Sequence, residues 1–406
     1  MELKKHVLSN GIKLIHAQVN SPVAHCGFFI NTGSRDEFDN EHGIAHFIEH
    51  LFFKGTKKRK SFHILSRLED VGGELNAYTT KEETCVHASF LKEHYARTIE
   101  LISDIIFNSI FPDKAIDSER DVILDEINSY KDSPSEFIFD DYEEYFFKNH
   151  GLGRNILGTS KQLKRIGQSN IKQFMGRTYN TDHMVFASVG NVPFNKIVYW
   201  FEKYFSGFPS NLRSFKRDAF TSYNPFNLTL HKKTFQVHAI LGNLGYDFKD
   251  NRRMGLHLLN NIIAGPGMIS RLNLALRERN GYSYNIESSY SPYSDGGLFT
   301  IYFSTDKAFL EKCFDIINKE FELLRTKPLG TVQLKKAKQQ ILGQLAISYE
   351  SNENQVLSIG KSFLVYDKVD SLEEIFTKIN SVTSSELMDI ANDVLHKDQI
   401  STLIYK

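Results

Sequence analysis

The same order of predicted strands and helices occurs twice in this chain of 406 residues. Residues 22–55 are typical of a strand, a turn, a charged loop and a helix followed by glycine, and residues 235–267 repeat that order. A unit that recurs along a chain predicts a recurring structural scaffold. Chains of this length usually contain two or three domains. We therefore predict two homologous halves.

Hydrophobic periodicity predicts both strands and helices in the first half. Alternation around Asn10-Gly11 is typical of a hairpin, because both residues tolerate the positive φ of a tight turn. Further strands are expected near residues 22–33, 75–80, 84–91 and 183–190, and helices near 43–53, 62–71, 93–110, 113–130, 135–147 and 194–205. Residues 206–227 have no period and are rich in Pro, Ser and Asn. The predicted division is a first domain at 1–210, a linker at 211–227 and a second domain at 228–406.

The composition argues against several classes of protein. The 49 Lys and Arg residues balance 49 Asp and Glu residues, so a nucleic-acid partner is not indicated. No apolar run approaches the roughly 18 residues of a membrane span, and the N-terminus has no apolar stretch of signal-peptide length. Cys26, Cys85 and Cys313 are odd in number and lie in no paired spacing. We expect reduced thiols in a cytoplasmic protein, and a mature organellar chain would have the same features.

The stretch HGIAHFIEHLFFKGT, residues 42–56, contains two histidines one helical turn apart. On a helix His46 and His50 lie on one face, so both can direct a ring nitrogen at a single ion. Glu49 borders the same ion and is placed to act as a base. The H-x-x-E-H order is the inverzincin motif of zinc peptidases. The alternative, two ordinary histidines of a helix, is disfavoured once the flanking residues below are counted.

A catalytic zinc usually has three protein ligands, so a third must come from elsewhere in the chain. The helical segment SERDVILDEINSYK offers four acidic residues: Glu119, Asp121, Asp125 and Glu126. Glu119 and Glu126 are seven residues apart and therefore share one face of a largely buried helix. Two aligned carboxylates there are costly unless a cation meets them. The spacing leaves both as candidate ligands, and a solvated helix face is the alternative.

The second copy of the repeat lacks the metal set. When its helix is superposed on the first, His257 and Asn260-Asn261, or Leu259-Asn260 in the neighbouring register, replace His46 and Glu49-His50. The repeat thus predicts one catalytic half and one supporting half.

Five segments together resemble the pitrilysin, insulin-degrading enzyme and mitochondrial processing peptidase family of zinc metallopeptidases. They are GSRDEFDNEHGIAHFIEHLFFKGT, GGELNAYTTKEET, ERDVILDEI, LGRNILGT and SRLNLALRERNGYSY. The resemblance implies an α+β fold of the processing-peptidase-like metallohydrolase type. Two homologous domains, each a mostly antiparallel sheet covered by helices, would close over an interior chamber.

The resemblance also implies roles for residues around the motif. His46, His50 and Glu126 would bind one Zn²⁺ per chain, and Glu49 would activate the attacking water. Glu119 would hold a ligand histidine in place.

Substrate contacts are implied in both halves. Asn76 and Ala77 would meet the backbone of a peptide added to a sheet edge as a β-strand. Arg277 and Tyr284 would grip the substrate from the second half. Tyr282 departs from the family pattern, which leaves open which of the two tyrosines reaches the site.

The function implied is zinc-dependent endopeptidase cleavage of peptides or unfolded polypeptides, without a nucleic-acid or membrane partner. Two alternatives remain: the catalytic subunit of a heterodimeric processing peptidase, and a noncatalytic structural or regulatory relative. The short loop IAGPGMISRL argues against a presequence-binding specialist, and the family analogy favours a homodimer.

Overall fold

A computed structural model describes residues 2–406 and contains two mixed β-sheets with many helices. The strands of the first sheet are β1 (Leu3–Val7), β2 (Lys13–Gln18), β3 (Val23–Ile30), β4 (Glu74–Thr79), β5 (Thr84–Leu91) and β6 (Met184–Gly190). Those of the second are β7 (Asn227–Leu230), β8 (Val237–Gly245), β9 (Ser283–Pro292), β10 (Gly297–Thr305) and β11 (Ser401–Tyr405). The α+β class predicted from the sequence is confirmed.

The helices agree with the predicted ones of the first half within about two residues. They are α1 (Ile44–Leu51), α2 (Ser61–Glu69), α3 (Tyr95–Asn108), α4 (Asp113–Lys131), α5 (Pro134–Phe146), α6 (Ser160–Leu163), α7 (Gln168–Thr178), α8 (Phe194–Phe205), α9 (Arg253–Ala264), α10 (Leu310–Thr326), α11 (Thr331–Tyr349), α12 (Asn352–Tyr366), α13 (Leu372–Ser381) and α14 (Ser384–Val394). Within residues 2–406, no helix is long and apolar enough to cross a membrane.

The two sheets have the same topology. The first has the order β1-β2-β6-β3-β5-β4 and the second β7-β11-β8-β10-β9. In each sheet one strand pair is parallel, β2 with β6 and β7 with β11, and the next three pairings along the sheet are antiparallel. The second sheet therefore reproduces the last five strands of the first in order and direction, as the sequence repeat predicts.

Packing divides the chain into two compact units. The first contains the chain up to Asn128, Arg154–Arg217 and Ser348–Val369, and the second contains Ser129–Gly153, Asp218–Ile347 and Asp370–Lys406. Each half thus gives one segment to the unit built around the other sheet. The predicted domains, 1–210 and 228–406, run continuously along the chain, and the compact units depart from them in these segments.

An apolar stripe attaches α12 to the sheet of the first unit. Val356, Ile359 and Phe363 recur at helical spacing, are buried, and pack against a cluster that includes Phe29 and Val185. Gly360 lies in the same stripe, and a Cβ atom there would come within 2.1 Å of the Phe29 ring. The glycine therefore permits a close approach of helix and sheet.

A second apolar stripe attaches α5 to the sheet of the second unit. Ile138, Tyr142 and Phe146 follow one another at four-residue spacing and are buried in a cluster with Ile240 and Tyr405. Among the other helices, α3 packs on β5 and α8 on β2 in the first unit, and α9 packs on β9 and α14 on β8 in the second. The second unit is therefore a sheet with helical layers of its own.

The predicted linker contains no helix or strand before β7 begins at Asn227, and arginines tie its first part to the first unit. Arg217 donates to both carboxylate oxygens of Asp36 at 2.8 Å, and Arg213 donates to Asn31 at 3.0 Å. Bidentate pairing of this kind is strong and directional. Residues 206–217 therefore belong to the first unit rather than to a free tether.

Candidate metal centre

Helix α1 begins at a residue whose backbone conformation only glycine adopts easily. Gly43, at its N-cap, has a φ of 94° and provides no side-chain cap. Glu37 replaces that cap, because its two carboxylate oxygens accept hydrogen bonds from the backbone N–H groups of Gly43 and Ala45 at 2.9 and 3.0 Å. Glu37 thereby fixes the start of the helix that carries the motif.

The two motif histidines share one face of α1, while Phe47, Ile48 and Leu51 are buried in the core. The rings of His46 and His50 lie 4.6 Å apart between centroids. Burial, with a smaller effect of neighbouring His50, lowers the pKa of His46 to about 3. A neutral imidazole is the form that binds a metal ion.

Helix α4 brings a carboxylate to this pair. The Oε2 atom of Glu126 lies 3.9 Å from Nε2 of His46 and 3.6 Å from Nε2 of His50. Across residues 2–406, this trio is the one group of three or more His, Cys, Asp or Glu residues with metal-site spacing.

The donor set fits a zinc ion. The three ligand atoms lie within 4.8 Å of one another. Bonds of about 2.0 to 2.1 Å at tetrahedral angles would place ligand atoms roughly 3.3 Å apart, so only a small contraction is needed. Two neutral imidazoles and one carboxylate are also a donor set that zinc uses in peptidases. His46, His50 and Glu126, which were predicted as ligands, are therefore close enough to share one ion.

Glu49 lies on the same helix between the two histidines but outside this ligand group. Burial raises the pKa of its carboxyl group, and the Glu126 charge adds to the shift. A base with a raised pKa accepts a proton more readily near neutral pH. Its position and its pKa both suit proton transfer.

The other candidate carboxylate, Glu119, contacts the back of a histidine. Its Oε2 atom lies 3.3 Å from Nδ1 of His50, and its Oε1 atom lies 2.6 Å from Nζ of Lys54. The side chain is 7% exposed. The spacing argument left Glu119 and Glu126 open as ligands, and in the structure Glu126 faces the Nε2 atoms while Glu119 faces Nδ1.

The strand expected to meet substrate lies at an edge of its sheet. On one side β4 pairs with β5, where Asn76 is opposite His87 and Ala77 opposite Val86. No other strand of residues 2–406 pairs with its second side. Helix α1 packs against this strand. The helix that carries the histidine motif and an open sheet edge are therefore neighbours within one unit.

The residues predicted to grip substrate from the second half lie in the second unit. Arg277 belongs to a π-helical segment, Asn273–Glu278, and its guanidinium group lies 5.7 Å from the ring centre of Tyr284. Tyr284 is 77% exposed near the start of β9, an edge strand. Tyr282 instead stacks on Phe309 at 4.7 Å. Of the two tyrosines, Tyr284 is thus the more accessible.

The second unit has a matching helix without the metal set. On α9, His257 packs against the ring of Tyr290, and burial, with a smaller effect of Arg253, lowers its pKa to about 4. Asn260 and Asn261 follow where an acid and a second histidine stand in α1. Counted from their first residues, the 19-residue helices α4 and α11 place Gln344 opposite Glu126, and α11 has no acidic residue. The scaffold is repeated and its ligands are not.

The sequence analysis did not identify two residues that support the start of α1. Glu37 caps α1 from six residues before its N-cap, outside the local capping patterns that a sequence reveals. Gly158, with a φ of 77°, lies so close that a Cβ atom on it would be 2.6 Å from the Cα of Gly43. The motif LGRNILGT was recognised only through resemblance, and its contact with Gly43 is not visible in the sequence.

The chain matches two family descriptions in succession. Residues 14–160 match Insulinase (Peptidase family M16), and residues 165–341 match the Peptidase M16 inactive domain. The first range contains the histidine motif, and the second begins within the first half and contains α9, which lacks it.

Similar proteins extend over nearly the whole chain. An uncharacterized zinc protease of Bacillus subtilis is 31% identical, with 99% of this chain and 98% of that protein covered. An uncharacterized zinc protease of Rickettsia bellii is 32% identical, covering 98% and 96%. The beta subunit of the mitochondrial-processing peptidase of Saccharomyces cerevisiae is 28% identical, covering 97% and 89%.

Solved structures have the same fold at low sequence identity. A protease from Helicobacter pylori superposes with a TM-score of 0.90 at 20% identity, covering 100% of this chain and 99% of that one. A structure described as a peptidase M16 inactive domain, from Pseudomonas fluorescens, gives a TM-score of 0.93 at 18% identity, with 100% and 98% covered.

Proposed function

The chain belongs to the insulinase family of peptidases, family M16, and we propose that it is a zinc-dependent endopeptidase. One observation carries the proposal: His46, His50 and Glu126 come together within one unit, and the half-buried carboxyl group of Glu49 lies on the helix of the two histidines. A purely structural relative would have no need of this set.

His46, His50 and Glu126 would hold the zinc ion, which supplies Lewis acidity toward a peptide carbonyl and toward water. Glu49 takes the proton from the attacking water and afterwards passes it to the leaving amine. Its raised pKa favours both steps, because the acid form is then accessible once the proton has been taken. Glu119 orients His50 through Nδ1.

We propose that substrate binds as an additional strand along β4. The backbone groups of Asn76 and Ala77 would pair with the peptide, and helix α1, which carries the motif, packs against the same strand. An extended peptide or an unfolded polypeptide can offer such a strand, whereas a folded domain cannot. The substrate class is therefore extended polypeptide.

We propose that two residues of the second half also act on the substrate. Tyr284 would donate a hydrogen bond to the developing oxyanion, and Arg277 would hold the substrate backbone. The exposure of Tyr284 and its contact with Arg277 support this pairing. With both groups present on one chain, we propose a self-sufficient enzyme that forms a cytoplasmic homodimer.

The similarity to a mitochondrial-processing peptidase beta subunit supports a second candidate, the catalytic subunit of a heterodimer. Mass spectrometry of peptide digests by the purified chain, with and without a chelator, tests the main proposal. We expect internal cleavage that the chelator abolishes and zinc restores. Absence of cleavage by the zinc-loaded chain would favour the heterodimer, and chelator-resistant cleavage would refute the metal mechanism.

A further inference from the structure

Lys54 and Glu119 form a charged pair directly behind the metal centre. Lys54 follows the end of α1 in a turn, where its backbone N–H donates to Leu51 at 3.1 Å. That turn directs its ammonium group to within 2.6 Å of Glu119 Oε1. We propose that Lys54 is a positioning residue of the zinc site, which acts on His50 through Glu119.

The two oxygens of Glu119 have different partners. Oε1 meets the lysine, and Oε2 lies 3.3 Å from Nδ1 of His50. Occupation of one oxygen by a cation fixes the rotation of the carboxylate and leaves the other oxygen aimed at the imidazole. A histidine that donates from Nδ1 presents the lone pair of Nε2, the atom that faces Glu126, to a metal ion.

Burial makes this pairing necessary. The Glu119 side chain is 7% exposed and the Lys54 side chain 33%, so water can solvate the lysine but hardly the carboxylate. A carboxylate that is removed from water requires a partner of opposite charge or several hydrogen bonds. Lys54 supplies that partner from the solvent side.

The charge count around the ion leads to the same conclusion. Glu49, Glu119 and Glu126 contribute three negative charges when ionised, and a zinc ion contributes two positive ones. The ammonium group of Lys54 brings the sum to zero. Without Lys54, Glu119 would lose the cation that holds its Oε1 atom.

This inference rests on the proposed zinc site, and its test reads zinc affinity rather than peptide cleavage. Zinc dissociation constants would be measured by chelator competition for the wild type, Lys54→Met, Glu119→Gln and the double variant. We expect Lys54→Met to weaken zinc binding about 10-fold, within the range typical of groups behind a ligand. Because Lys54 acts through Glu119, the double variant should bind zinc no more weakly than Glu119→Gln alone.

Lys58 provides a matched control, because it is an exposed lysine four residues further along the chain. Lys58→Met removes the same charge and should leave zinc affinity unchanged. Zinc-free Lys54→Met should unfold at a lower denaturant concentration than the wild type, because the largely buried Glu119 loses its partner. Zinc affinity is therefore compared on protein shown to be folded, and Lys54→Gln replaces Lys54→Met if the latter does not fold.

Three outcomes would overturn the proposal. They are wild-type zinc affinity in both lysine variants, equal loss of affinity in the Lys54 and Lys58 variants, and a further loss when Lys54→Met is added to Glu119→Gln. A wild-type chain that binds no zinc would instead refute the proposed function itself.

Discussion

Helices α1 and α9 hold equivalent places in two sheets of the same topology, yet their polar residues differ. In α1 one face carries two histidines and an acid, and α4 supplies carboxylates. In α9 one histidine is followed by two asparagines, and α11 supplies no carboxylate. The difference teaches that the scaffold alone does not make a metal site. A few polar substitutions on matched helices separate the half that has the histidine motif from the half that lacks it.

The comparison is tested most severely at Glu49, because no acid occupies its counterpart in α9. Glu49→Gln has the shape of the base but cannot accept a proton, so peptide cleavage should fall by about 10²- to 10⁴-fold. Zinc content, measured by elemental analysis, should remain at one per chain. Loss of zinc together with activity would make Glu49 a ligand and require a different base.

The supporting half can be tested at Tyr284. If its hydroxyl donates to the oxyanion, Tyr284→Phe should lower kcat by about 10²- to 10³-fold with zinc content unchanged. Tyr282→Phe is the matched control, because Tyr282 stacks on Phe309 and should leave kcat near the wild-type value. A larger effect of Tyr282→Phe would exchange the two roles, and no effect of either variant would reduce the second half to a scaffold.

Within the catalytic half, the two carboxylates of α4 should differ in rank. Glu126→Gln removes a ligand and should weaken zinc binding by more than about 100-fold, whereas Glu119→Gln should weaken it about 10- to 100-fold. Competition with a fluorescent chelator gives both values. The reverse order would make Glu119 the ligand and Glu126 its support.

The sequence predicted that His46 and His50 would lie together on one helix face, but it did not predict how segments of the two halves pack. Helical spacing alone paired His46 with His50, since that relation is local. It could not choose between Glu119 and Glu126, because seven-residue spacing places both on one face and the choice depends on where α4 meets α1. Resemblance to the family favoured Glu126, which is the residue that faces both Nε2 atoms.

The sequence also did not predict that residues 129–153 pack in the second unit and residues 348–369 in the first. The stripe Val356, Ile359 and Phe363 predicts a helix with one buried face, but an apolar face does not specify which sheet it covers. Likewise, the irregular composition of residues 206–227 indicated a linker and did not reveal that Arg213 and Arg217 anchor it.

The smallest expected effect concerns that exchanged helix. Gly360→Ala places a methyl group against the Phe29 ring and should lower the free energy of unfolding by about 1 to 3 kcal/mol. In α11, Gly343→Ala meets no atom of residues 2–406 within 4 Å and should raise it by about 0.5 to 1 kcal/mol. Denaturant unfolding of both variants measures the difference. Equal shifts would mean that α12 does not pack closely on the first sheet.

The central claim, that only the first of the two equivalent helices holds zinc, is tested by one matched pair of substitutions. His46→Asn and His257→Asn change the same residue type on α1 and on α9, and zinc per chain would be measured for both by elemental analysis after passage over a chelating resin. We predict almost no zinc in His46→Asn and one zinc per chain in His257→Asn, as in the wild type. Zinc retained by His46→Asn, or lost from His257→Asn, would contradict the account.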